Sequence, residues 1–154
     1  MSADARLEEL GILLPPAPKQ MGVYQLMVQT GNLAYLSGHG PFLDDGSIIT
    51  GRVGADMNLE EAQNAARQVG LNLLATLKNE LGSLDRVSRL VKSLALVNCT
   101  DDFFDQPAVI NGFSELFAEV FGEEDGIGAR SAMGTNSLPG NIPVEIEIII
   151  ELKH

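Results

Sequence analysis

From Leu59 to Leu81 the apolar residues Leu59, Ala62, Ala66, Val69, Leu73, Leu74, Leu77 and Leu81 recur at helical spacing, so this stretch reads as one long amphipathic helix. Asn58 stands before it with Glu61 three residues on, the spacing of a capping box, and Gly82 closes it. A second helical pattern lies within Phe103–Phe121, starting near Pro107 and stopping at Gly122. Its apolar face is Val109, Ile110, Phe113, Leu116, Phe117, Val120 and Phe121. Ser2 can cap a short helix through about Leu10, with Gly11 as its stop. Pro15, Pro16 and Pro18 then exclude helix and make a stiff connector.

The remaining patterned segments alternate at the period of strands. Gln25–Thr30 and Leu33–Ser37 read as a hairpin turned at Gly31-Asn32, where glycine makes a tight turn cheap. Ser47–Thr50 suggests a third, short strand after the irregular segment from Gly38 to Gly46. Val87–Val97, about Arg130–Thr135 and Val144–Leu152 complete the set. The order is β-β-β-α-β-α-β-β with an extra N-terminal helix: one α+β domain over residues 1–154, of which 1–14 form a helical extension. Two amphipathic helices can cover one face of a single mixed sheet. The last strand carries Val144, Ile146, Ile148 and Ile150 on one parity, and Glu145, Glu147, Ile149 and Glu151 on the other. The second parity mixes apolar residues with carboxylates, which makes a poor solvent face and suits contact between copies.

Charge and chemistry narrow the picture. Lys plus Arg number 10 against 21 Asp plus Glu, giving a net charge of −11, which argues against a nucleic-acid partner held by phosphate neutralisation. The single Cys99 cannot make an intrachain disulfide and fits a reducing cytoplasm. The first residues carry no apolar leader core, and no apolar run approaches the roughly 18 residues of a membrane span. Two histidines and one cysteine make a zinc site improbable, and no Walker or dinucleotide glycine loop is present. Arg130, among small residues, offers a planar fork that matches a carboxylate bidentately. If its strand lies beside that of Glu145, a carboxylate binder and a proton handler share one site. The same residues allow blander roles. Arg130 could pair structurally with Glu145 or Glu147; Glu145 shares its parity with Glu147 and Glu151, and one of these could simply face solvent or pair across an interface. Tyr24 could be an interface aromatic, His39 a loop histidine, and Asn111 a helix residue bonding a neighbouring loop.

Several segments together resemble the RidA/YjgF family of reactive intermediate deaminases. They are Gly22-Val23-Tyr24, Leu36-Ser37-Gly38, Ala62-Gln63-Asn64-Ala65-Ala66, Asn111-Gly112-Phe113-Ser114-Glu115-Leu116-Phe117, Ala129-Arg130-Ser131 and Pro143-Val144-Glu145-Ile146-Glu147. They follow the family's order across roughly residues 15–153. The resemblance implies a chorismate-mutase-like fold and a homotrimer with pockets between subunits. It also implies cofactor-free hydrolysis of small enamine or imine acids. Carried over, Arg130 would hold the substrate carboxylate and Glu145 would orient water. Tyr24, Ser37, Gly38, Asn111 and the backbone at Ala132 would line the pocket. This chain departs from the family in its N-terminal helix, in Ala132 where many members carry cysteine, and in His39 where glutamine is common. Non-catalytic binding of a small carboxylate metabolite is the alternative function. The endoribonuclease activity of the family's older name fits the charge and the 5% aromatic content poorly.

Overall fold

The computed structural model describes residues 1–154. Ser2 accepts the Ala5 N–H and starts α1 (Ala3–Glu9); Gly11, at φ +65°, turns the chain away. β1 (Met27–Thr30) and β2 (Leu33–His39) form the expected hairpin. Both halves of the capping box are formed at α2 (Leu59–Leu81): Asn58 accepts from Glu61 N–H, and the Glu61 carboxylate accepts from Asn58 N–H. Gly82 ends α2 in the left-handed region, where a side chain would be strained. β3 (Val87–Asn98), α3 (Gln106–Phe121), a single turn α4 (Glu123–Gly126), β4 (Ala129–Thr135) and β5 (Val144–Leu152) follow.

The five strands make one mixed sheet in the order β1-β2-β5-β3-β4, antiparallel except for the parallel β3–β4 pair at one edge. Helices α2 and α3 cover one face, over Ala34, Leu36, Ala95, Val97, Val144, Ile146, Ile148 and Ile150. This is the expected α+β architecture. The two helices cross closely where α3 has Gly112: a Cβ there would stand 2.1 Å from the Gln63 carbonyl oxygen. The opposite face carries Tyr35, Leu94, Leu96, Glu145, Glu147 and Ile149.

Two expectations are corrected. Ser47–Thr50 is not a strand. Asp45 takes both the N–H and the hydroxyl of Ser47, a closed turn that leaves only the single Phe42–Ile48 bridge. The strands of Arg130 and Glu145 are not neighbours either. β5 pairs on both sides, with β2 and β3, so β4 can join only at the outer edge of β3.

α1 packs at the far end of α2. Leu7 is buried, and Asp4 receives the Ser83 hydroxyl and lies 3.3 Å from Lys78 Nζ. Burial works against the Asp4 charge, but those donors outweigh it and hold its carboxyl below the usual value. No helix is long and apolar enough to cross a membrane.

Candidate functional site

Glu145 lies on the uncovered face of β5, opposite Leu96 of β3. On its other side the β2 register shifts between Leu36 and His39, which bulges Ser37-Gly38 towards the carboxylate. A Cβ on Gly38 would stand 3.0 Å from Glu145 Cδ and Oε2, so the approach depends on glycine. The carboxylate borders a cavity of about 560 Å³ whose walls include Tyr24, Ser37, Gly38, Phe42, Ile48 and Ile142. No lysine or arginine lines it. Burial raises the Glu145 pKa above its ordinary 4.5, and the neighbouring Glu147 charge adds to the rise. Glu151, on the same parity, is engaged elsewhere: it accepts from Asn32 and lies 3.8 Å from Arg89. Glu147 is exposed.

Arg130 lies on the other side of the sheet. It pairs with the buried Ser93, so its side chain leaves β4 on the helix-covered face and meets α3. Nη1 donates to Asn111 Oδ1 at 2.9 Å and to Ser114 Oγ at 3.1 Å. Arg130 belongs to none of the chain's ion pairs. Its Nε and Nη2 have no protein acceptor, and these two atoms form the edge that grips a carboxylate side-on. Its exposed guanidinium is therefore held by Asn111 and Ser114 with one edge open, and is not a partner of Glu145 or Glu147 within the chain.

The candidate residues thus fall into two separate clusters. Tyr24, Ser37, Gly38 and Glu145 come together in the cavity; Arg130 and Asn111 come together at the β4–α3 edge. Ala132 shares the face of Arg130 and packs against the core. Tyr24 reaches the cavity while its hydroxyl accepts the Met21 N–H. His39 stays outside the cavity: its side chain is buried beneath α2, where Nδ1–H donates to the Ser37 carbonyl at 2.6 Å. The Thr76 hydroxyl then donates to Nε2 at 2.8 Å, and burial lowers the His39 pKa, keeping the ring neutral.

Comparison with known proteins decides the kinship. A family model described as "YjgF/chorismate_mutase-like, putative endoribonuclease" matches residues 4–152. The chain belongs to the RidA/YjgF family. Among its relatives, Protein TCP17 of Trypanosoma cruzi is 40% identical over 150 residues, covering 97% of this chain and 94% of the relative. The 2-iminobutanoate/2-iminopropanoate deaminase of Dermatophagoides farinae is 31% identical over 143 residues, covering 92% and 95%. A crystal structure of an Agrobacterium tumefaciens protein of unknown function superposes with a TM-score of 0.88 at 40% identity, covering 98% of this chain and 94% of that one.

Within this RidA/YjgF fold, sequence reasoning missed Ser114 and the cavity walls Phe42, Ile48 and Ile142. Ser114 had a readable signal, since it follows Asn111 by one helical turn and shares its face. The walls had none, because they come from irregular segments whose placement depends on long-range bonds.

Proposed function

We propose that this protein hydrolyses small enamine or imine acids to 2-oxo acids and ammonia, in the cytoplasm, as a homotrimer with one site at each subunit contact. The observation that carries this reading is the pair of unfinished half-sites. A carboxylate stands in a cavity without a cation, and a guanidinium edge stands without an anion. The two lie on opposite faces with β3 between them, so a second copy must bring one to the other. The uncovered face that carries Glu145 also carries Tyr35, Leu94 and Ile149, apolar groups suited to such contact. The identity to an imine deaminase supplies the reaction class.

In the joined site Arg130 of one copy holds the substrate carboxylate through Nε and Nη2, while Asn111 and Ser114 fix the guanidinium. Glu145 of its neighbour takes a proton from water as the oxygen bonds to the imine carbon and the C=N pair moves to nitrogen. The same carboxyl returns the proton to nitrogen. Glu145 then takes the hydroxyl proton of this carbinolamine and passes it to the amino group, so that as the carbonyl forms the C–N bond breaks and ammonia leaves. The imine carbon is already electrophilic, so positioning and one acid/base group suffice.

The test is ammonia release from freshly generated 2-iminopropanoate. Glu145→Gln is expected to lower kcat by about 10²–10⁴-fold, the usual weight of a general acid/base, while keeping affinity for a 2-oxo acid. Arg130→Ala is expected to weaken that affinity by roughly ten- to a hundredfold, the loss of a charged hydrogen-bonded contact. Retained turnover in Glu145→Gln would remove its role. Binding without turnover in the unmodified protein would make it a carboxylate binder.

A further inference from the structure

We infer that the Glu145 cavity selects imine acids bearing a long apolar side chain, of the size of those from leucine, methionine or phenylalanine, over the three-carbon 2-iminopropanoate. This rests on the proposed deaminase reading. Gly38 and Gly40, on either side of the buried His39, line the cavity and present no side chain to it. A Cβ on Gly38 would touch Glu145, and a Cβ on Gly40 would stand 3.1 Å from Ile142 Cδ1 and 3.3 Å from Ile48 Cδ1. The cavity therefore runs from a carboxylate at one end to two converging isoleucine tips at the other. Two residues of extended chain separate the ends by roughly 7 Å. With the reacting carbon at Glu145, a methyl substituent reaches only about 1.5 Å from it. A leucine-like or aromatic side chain spans that distance, reaches the isoleucine tips that close over Gly40, and buries apolar surface against Ile48, Ile142 and Phe42.

The apolar end is also held in place. Phe42 carbonyl accepts from Gln68 at 2.6 Å and from Asn72 at 2.9 Å, both on α2; Asn72 also donates to the Gly40 carbonyl. On the other side the buried Asn98 donates to the Ile142 carbonyl at 3.2 Å. Amide side chains thus fix both walls, so the shape is set before a ligand arrives.

The experiment compares kcat/KM for imines generated in place by amino-acid oxidases from alanine, leucine, methionine and phenylalanine. Binding of pyruvate and 4-methyl-2-oxopentanoate is measured by calorimetry beside it. The expected result is a leucine-over-alanine preference of about tenfold or more, in line with the weight of a few methylenes in an apolar pocket. Ile48→Ala is expected to shift preference towards the phenylalanine-derived imine, and Ile48→Trp towards the alanine-derived one. A purely structural role would depress every substrate alike. Turnover with no preference, or a preference for the small imine, overturns this inference and leaves the deaminase reading standing. Tighter binding of the branched 2-oxo acid without any turnover upholds the selectivity and overturns deamination. Neither turnover nor 2-oxo acid binding overturns both.

Discussion

Glu145 works against its surroundings. Burial, then the Glu147 charge, raise its pKa above 4.5 in the folded chain, so folding favours the protonated form. Stability from this group is therefore full below about pH 4.5 and is lost as pH rises through the raised folded value. Glu145→Gln therefore relieves a cost at neutral pH, and its lost turnover would not be a symptom of unfolding. The proposed reaction makes the opposite demand, because a carboxyl that is to accept a proton from water must be ionised. The acidic limb of kcat against pH is expected above 4.5, and Glu147→Gln should move it down by removing a like charge. A limb unmoved in Glu147→Gln, or one at the ordinary glutamate value, would detach Glu145 from the rate. Gly38 makes a second residue-scale prediction. Gly38→Ala forces a methyl to 3.0 Å from the Glu145 carboxylate. It is expected to lower kcat by about tenfold or more, the weight of a displaced catalytic group, with unfolding midpoint little changed.

Elements position these residues, and their legibility in the sequence divides along physical lines. Asn58, Glu61 and Gly82 announced α2 because caps are local hydrogen bonds between residues a few positions apart. The alternation of Val144–Leu152 announced β5 because one face is core and the other is not. Ser47–Thr50 misled because its β-branched residues say nothing of whether a partner strand is within reach. The choice among Glu145, Glu147 and Glu151 was also closed to sequence: all three share a parity, and only the Ser37-Gly38 bulge and the Arg89 contact separate them. The same holds for the opposite faces of Arg130 and Glu145, which follow from β4 joining the outer edge of β3 and not β5. At this scale the tightest point is Gly112. Gly112→Ala puts a methyl 2.1 Å from the Gln63 carbonyl oxygen, so α3 must move off α2. Overpacking of this kind costs about 1–3 kcal/mol or more, readable as a lower midpoint in urea. Because α3 carries Asn111 and Ser114, the shift should also weaken 2-oxo acid binding at Arg130. An unchanged midpoint would mean the crossing has slack.

The whole molecule turns on whether Arg130 and Glu145 of different copies meet. Arg130 leaves one face of the sheet at its edge, and Glu145 leaves the other face near its middle, so no side-chain rotation within one chain can join them. A shared site makes a prediction that a site within one chain cannot imitate. At substrate concentrations well below KM, Arg130→Ala and Glu145→Gln are each expected to retain only about a tenth of the activity or less. Unfolded together in equal amounts and refolded, they place an intact Arg130 beside an intact Glu145 at about one contact in four, whatever the size of the closed ring. About a quarter of the unmodified activity should then return, with full activity per intact site. The same two variants refolded separately and mixed afterwards should show no more than that residual activity, which controls for traces of active protein. Return of activity ties the open sheet face, the edge position of β4 and the free guanidinium edge into one device. No return from the co-refolded mixture, with mixed assemblies confirmed by mass spectrometry under native conditions, would mean that each chain does its chemistry alone. Arg130 would then have to be read as an anion site separate from Glu145.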